Sequence, residues 1–256
     1  MNKFTNTISQ IDTFLDDIRE KFIFHIPHSS EFIPDFQGFN KELIENETKL
    51  LVDHATDKIF NIEGVDSVIF PYNRIFCDVE RLPDEKEELF KLGRGFYYTK
   101  TDDGKTLREL NEEHKNLIKK NYYDTHHKIL NDLIENKIKK FQIVYIIDCH
   151  SYSDIPFISD LDKNSNRPDI CLGTDVIHTP KWLIDKIKHT FEKEGLSVKI
   201  NTPYSGTIVP LKFYGNNQIK SIMIEINRKL YIDNDGINSE KINYLNNIIK
   251  KSLFYG

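Results

Sequence analysis

The sequence has little of what staples a small extracellular fold together. Cysteine occurs three times in 256 residues, as Cys77, Cys149 and Cys171. Three thiols cannot all pair with one another, and none sits in a C-x-x-C spacing, so reduced core thiols in a reducing compartment are expected. Glycine and proline number 11 and 9 and are scattered. No flexible linker or low-complexity stretch divides the chain, and no repeat is evident. One domain over 1–256 follows.

Long apolar runs are also missing. The longest, Ile143 to Ile147, falls far short of the ~20 residues that a membrane helix needs. The opening MNKFTNTISQIDTFLDDIRE has no signal-type apolar core. There is no surplus of positive charge either: 35 Lys and Arg stand against 40 Asp and Glu, a net −5. Nucleic-acid binding needs a basic face and is not the default expectation. These absences point to a cytoplasmic protein acting on a small molecule, with no membrane and no nucleic-acid partner. They leave the oligomeric state open.

What is present is a 39% hydrophobic content spread over short runs. FIFHIP at 22–27, Val68-Ile69-Phe70, QIVYIID at 142–148, Asp169 to Gly173, Val198 to Ile200 and Ile222 to Ile226 read as buried strands. Ile75-Phe76-Cys77 is a further candidate. Amphipathic spacing predicts a helix over 41–61, two helices within 106–139 broken near Tyr122 and Tyr123, one over 180–194 ending at Gly195, and a closing helix over 238–253. Alternating strands and helices imply an α/β fold: three layers, with a central mixed, mostly parallel sheet and helices on both faces. Chemistry in such folds gathers at strand ends.

Polar clusters stand there. His28-Ser29-Ser30-Glu31 follows the first strand, and Asp148-Cys149-His150-Ser151 follows the strongest one. A lone histidine is ordinarily a loop or capping residue, but two His-Ser pairs at two strand exits suggest metal ligation by neutral imidazole. Asp148 is placed to orient a ligand. Glu225 lies among Ile222, Met223, Ile224 and Ile226, where a charge must be paired or used. It is either salt-bridged to an arginine such as Arg228 or a general base. Asp53 and Asp57 share a face of the predicted helix, which ordinarily means a solvated face. Glu31 competes as a ligand through the H-x-x-E spacing. Arg74 and Arg81 are candidates for gripping a substrate carboxylate, with Arg228 in reserve. Asn201, Gly206 and Thr207 sit in the turn NTPYSGT.

The clusters and their order resemble the N-formylglutamate amidohydrolase family. The resemblance runs through PHSSEFIP at 27–34, DHATDKIF at 53–60, NRIFCDVER at 73–81 and DCHSYSD at 148–154. It continues through PDICLGTD at 168–175, NTPYSGTIVP at 201–210 and IEINRKLY at 224–231, so it covers roughly 22–233. It implies a phosphorylase/hydrolase-like fold related to zinc carboxypeptidases and cell-wall amidases. It also implies a zinc ion, or another divalent metal, held by His28, Asp53 and His150, with Glu225 as base. Glu31 is the alternative third ligand. The implied reaction cleaves an N-formyl amide, giving formate and glutamate, with Arg74, Arg81, Arg228, Asn201, Gly206 and Thr207 toward the substrate. Ser30 replaces the family's usual glycine, DVER stands where DLNR is more frequent, and IEINRKLY also differs. These departures leave the implied chemistry intact and bear on the substrate. Two rival readings are a peptide or cell-wall amidase using the same metal site and a non-enzymatic metal-binding module that has no need of Glu225.

Overall fold

The structure, a computed structural model, describes residues 15–255. Six strands form one sheet: β1 (Phe22–Ile26), β2 (Asp66–Ile69), β3 (Val144–Tyr152), β4 (Ile170–Gly173), β5 (Val198–Ile200) and β6 (Ile219–Asn227). Their order across the sheet is β2-β1-β3-β6-β4-β5. Every neighbouring pair is parallel except β4 and β6, which run antiparallel. The fold is therefore α/β with a mixed, mostly parallel sheet, as the strand pattern implies.

Side chains alternate along each strand, so each sheet face is set by every second residue. One face is apolar through the middle of the strands. Phe22, Phe24 and Ile26 of β1, Ile147 and Cys149 of β3, and Ile222, Ile224 and Ile226 of β6 form one buried cluster. Three helices pack there: α2 (Thr56–Ile59), α5 (Lys181–Lys193) and α6 (Ser239–Phe254), through residues such as Ile59, Leu183, Ile187, Leu245 and Ile249. The other face changes character along the strands. At its start, Ile23, Val144, Ile146 and Ile219 pack on Leu130 and Ile134 of α4 (Asp124–Ile138). Further along, the same face carries His25, Asp148, His150 and Glu225, all buried. Register aligns them: His25 is level with Asp148, and His150 with Glu225. The polar residues thus sit on the strands themselves. The expectation that His150 and Ser151 lie beyond the end of their strand is corrected, because β3 continues to Tyr152.

A second cluster, built mostly from loops at 33–39 and 70–107, walls the polar end of the sheet. Arg108 organises it. Its guanidinium lies over the Phe39 and Tyr97 rings and donates to the carbonyls of Tyr98, Phe76 and Ile75. Ile75-Phe76-Cys77 is a turn here, not a strand. The predicted helix over 41–61 is also two pieces. The first, α1 (Lys41–Leu51), ends at Val52, and α2 begins after Ala55, which has left-handed φ of 61°. The helical region of 106–139 begins only at α3 (Glu112–Ile118) and runs into α4 through a π-turn at Lys119–Tyr123, where the break was expected. All three cysteines are buried and free. Among the described residues, no helix is long and apolar enough to cross a membrane.

Gly173, at the end of β4, packs against the Gly206 carbonyl and the Met223 side chain, with no room for a Cβ. Gly173→Ala is expected to cost ~1–3 kcal/mol through overpacking, read as a lower denaturant midpoint. An unchanged midpoint would mean that the 201–207 turn is not pressed against the sheet.

Candidate metal centre and active site

Asp53 occupies the break between α1 and α2. Its backbone N–H donates to the His28 carbonyl (2.9 Å), and its own carbonyl accepts from the Thr56 hydroxyl (2.9 Å). A continuous helix would have carried the side chain away; the break turns it onto the polar end of the sheet. There His150 Nδ1 lies 3.0 Å from Asp53 Oδ2, and His28 Nδ1 lies 3.7 Å from the same oxygen. The two imidazole rings are 5.2 Å apart. Asp57 belongs to α2 and takes no part.

The tautomers are set from behind. His28 Nε2 is 2.8 Å from Asp78 Oδ1, so a proton on Nε2 leaves Nδ1 as a bare acceptor. That Nδ1 is buried and, among the described residues, has no hydrogen-bond partner. His150 Nε2 is 3.2 Å from Asp148 Oδ1, which directs its Nδ1 toward Asp53 in the same way. Two imidazole nitrogens and one carboxylate oxygen converge within 4.8 Å of one another. An orphaned nitrogen in such a donor set fits a divalent cation with two His and one Asp as protein ligands, each His backed by a carboxylate. Glu31 does not join them. It is exposed, and its carboxylate is 3.2 Å from His54, so the alternative third ligand is corrected in favour of Asp53's position.

Charge is balanced closely. Burial alone would raise Asp53, but the hydrogen bond with His150 and the nearby His28 ring outweigh it and hold the carboxyl well below the usual range. Burial would likewise raise Asp78; Arg74 and His28 hold it well down. Glu225 behaves oppositely. Burial pushes it up to about 8, since the opposing pull of His150 and Arg228 is offset by Asp53 and Glu80. Its Oε2 is buried without a partner. The salt-bridge alternative for Glu225 does not occur, because Arg228 turns to Asp53 Oδ1 (3.1 Å), the Leu50 carbonyl (2.7 Å) and Ser151.

These groups line one cavity of about 410 Å³. Arg74 lines it but is committed, gripping Asp78 Oδ2 through Nε and Nη2 at 3.1 and 2.9 Å. Arg81 is freer. Its guanidinium is 30% exposed, its nearest carboxylate oxygen is 3.4 Å away on Glu87, and its buried Nε has no partner. Gly206 and Thr207 also line the cavity, although the Thr207 hydroxyl is held by Ser221 at 2.7 Å. Asn201 does not line it: its amide bonds to Thr174, and it sits at φ 52° to shape the turn. The substrate-side expectation for Asn201 is therefore corrected to a structural position.

Several site residues carry no sequence signal of their own. Asp78, Glu80 and His25 lie inside quoted motifs but gain roles only from contacts distant in sequence. Arg94 is 4% exposed, pairs with Asp102 at 2.9 Å, bonds Ser159, and points an unpartnered Nε into the same wall.

Comparison with curated protein sequences gives no match. A family model described as N-formylglutamate amidohydrolase matches residues 20–232. Among solved structures, the chain is similar to an N-formylglutamate amidohydrolase from Ralstonia eutropha. The identity is 22% over 91% of each chain, with a TM-score of 0.75. It is also similar to a gene product from Agrobacterium tumefaciens, at 16% identity over 93% of this chain and 92% of that one, with a TM-score of 0.66. At these identities the structures speak for the fold, whereas the family model spans most of the 256 residues. The chain belongs to the N-formylglutamate amidohydrolase family.

Proposed function

We propose that this amidohydrolase cleaves the amide of an N-acyl amino acid, N-formylglutamate or a close analogue, with a zinc ion or another divalent cation held by His28 Nδ1, Asp53 and His150 Nδ1. The observation that carries the reading is the pairing of two unsatisfied groups at one cavity: the orphaned Nδ1 of His28 and the unpartnered carboxyl of Glu225. A bound cation supplies a Lewis acid for the acyl oxygen and lowers the pKa of a water it holds to ~7. Glu225 accepts the proton of the attacking water at its carboxylate and delivers it to the leaving nitrogen. Asp78 and Asp148 fix the ring orientations of His28 and His150.

The substrate carboxylate falls to Arg81, because Arg74 and Arg228 are consumed by Asp78 and Asp53. Gly206 and Thr207 shape the facing wall. Three buried free thiols support a cytoplasmic setting. A screen over N-formyl amino acids, N-acetyl amino acids and short peptides, with metal content assayed in parallel, tests the whole reading. Cleavage of peptides alone would favour the peptide or cell-wall amidase. Metal without turnover would favour the binding module.

Asp78→Asn removes the charged acceptor behind His28. It should weaken zinc affinity ~10–100-fold, measured by competition with a chromophoric chelator. Unchanged affinity would mean that His28 does not depend on Asp78.

Arg81→Ala should raise KM for a carboxylate-bearing substrate by ~10-fold or more, the loss of a charge-assisted pair. Arg74→Ala should instead lower stability. Equal effects of both on KM would remove Arg81 from its special position.

Glu225→Gln keeps the shape and removes the base, so kcat should fall ~10²-fold or more with the metal retained. The base works only when deprotonated, so wild-type kcat/KM should rise with pH. It should level off at an apparent pKa at or below 8, because a bound cation lowers a neighbouring carboxyl. A kcat/KM that falls as pH rises through that range would contradict the role.

A further inference from the structure

Behind the His150 ring, away from Asp53, lies a second convergence of donors. His25 Nδ1 is 2.9 Å from Asp148 Oδ1 and 3.5 Å from Glu80 Oε1. His150 Nε2 is 3.2 Å from Asp148 Oδ1 and 3.1 Å from Glu80 Oε2. His25, Glu80 and Asp148 each offer a ligand atom within 4.8 Å of the others, and His150 Nε2 approaches both carboxylates.

We propose that the protein holds a second divalent cation here, ligated by His25 Nδ1, Glu80 and Asp148, with the His150 ring shared between the two ions as an imidazolate whose Nε2 proton is released to solvent. The sharing rests on the reading of His28, Asp53 and His150 as the first site.

Three observations support it. His25 is fully buried and anchored from its far side, with Nε2 2.9 Å from His126 Nε2. A metal-binding imidazole characteristically gives its other N–H to such an acceptor. Next, Glu80 faces three ring nitrogens, at 3.1, 3.5 and 3.8 Å. Finally, His150 Nε2 carries at most one proton, yet two carboxylates crowd it. One of them suffices to orient the ring, so the other is surplus to that task.

A set of two imidazoles and two carboxylates suits zinc, cobalt(II) or manganese(II). Glu80 and Asp148 both line the cavity. An ion between them adds positive charge to a wall whose arginines are largely spent on carboxylates. It stands where an anionic substrate group can reach it.

The test is zinc stoichiometry by elemental analysis. Wild type, Glu80→Gln and His28→Ala are saturated with zinc, passed over a chelating resin to strip loosely held ions, and checked for folding by circular dichroism. Two zinc ions per chain in wild type and one in each variant are expected. One ion in wild type, lost in His28→Ala and kept in Glu80→Gln, overturns the second site and leaves the first standing. One ion lost in Glu80→Gln and kept in His28→Ala overturns the first-site reading and supports this one. Two ions retained in Glu80→Gln, or none in wild type, overturn the proposal. Should Glu80→Gln fail to fold, His25→Gln is measured in its place, with the same expectations.

Discussion

The neutralisation of two buried carboxylates, Asp53 and Asp78, governs the rest of the site. Each is at most 2% exposed. An ion removed from water costs several kcal/mol unless partners surround it. Asp78 takes Arg74, His28, the Tyr98 hydroxyl and the Glu80 amide. Asp53 takes Arg228 and His150. Each carboxylate thereby fixes a histidine on one side and an arginine on the other. Ring orientation, the left-over Nδ1 of His28 and the position of Arg228 all follow from these two groups.

A consequence reaches substrate recognition. Guanidinium groups suit carboxylates, and the sequence holds several near the site. Where a carboxylate of the protein already fills the fork, as for Arg74 and Arg228, the charge is spent on the scaffold. Arg81 is held more loosely, 3.4 Å from Glu87 and 3.9 Å from Asp78, and its side chain is 30% exposed.

What the sequence reveals, and what it hides, divides along the same physical line. The strands are visible because continuous apolar runs such as FIFHI and VYII need burial on both faces. His28, His150 and Glu225 are visible because polar residues interrupt those runs. The helix break at 52–55 is not visible: no glycine or proline marks it, Ala55 takes a left-handed φ, and the hydrophobic spacing continues across it. Yet that break is what presents Asp53. The extension of β3 through Asp148, His150 and Tyr152 is hidden for the opposite reason, since polar residues in a strand read as a loop when their partners are unknown. Arg74 and Arg81 look equivalent in the chain, and only Asp78, held four and three residues away, separates them. Arg94, His25 and Glu80 owe their roles to residues 8 to 123 positions distant, which no local pattern encodes.

The arrangement also shows how the chain tolerates so many acids without a cation. Burial would lower His150, but Glu80 and Asp148 raise it well above its usual range. Burial would lower His25 too, and Asp148 with Glu80 bring it up to about 9. Imidazoles and carboxylates at this end of the sheet thus favour one another's charged forms. A divalent cation does the same work with a fixed position and no proton to lose. Protons and cations thus compete for one set of buried charges, and metal binding must release protons, as it does wherever imidazoles ligate. Glu225 stands outside that competition. Its carboxyl is the one for which burial outweighs the neighbouring charges, pushing it up to about 8. The sheet assigns these opposite behaviours to neighbours in register, His150 on β3 and Glu225 on β6. Two parallel strands therefore hold His150 and Glu225 side by side at the polar end of the sheet.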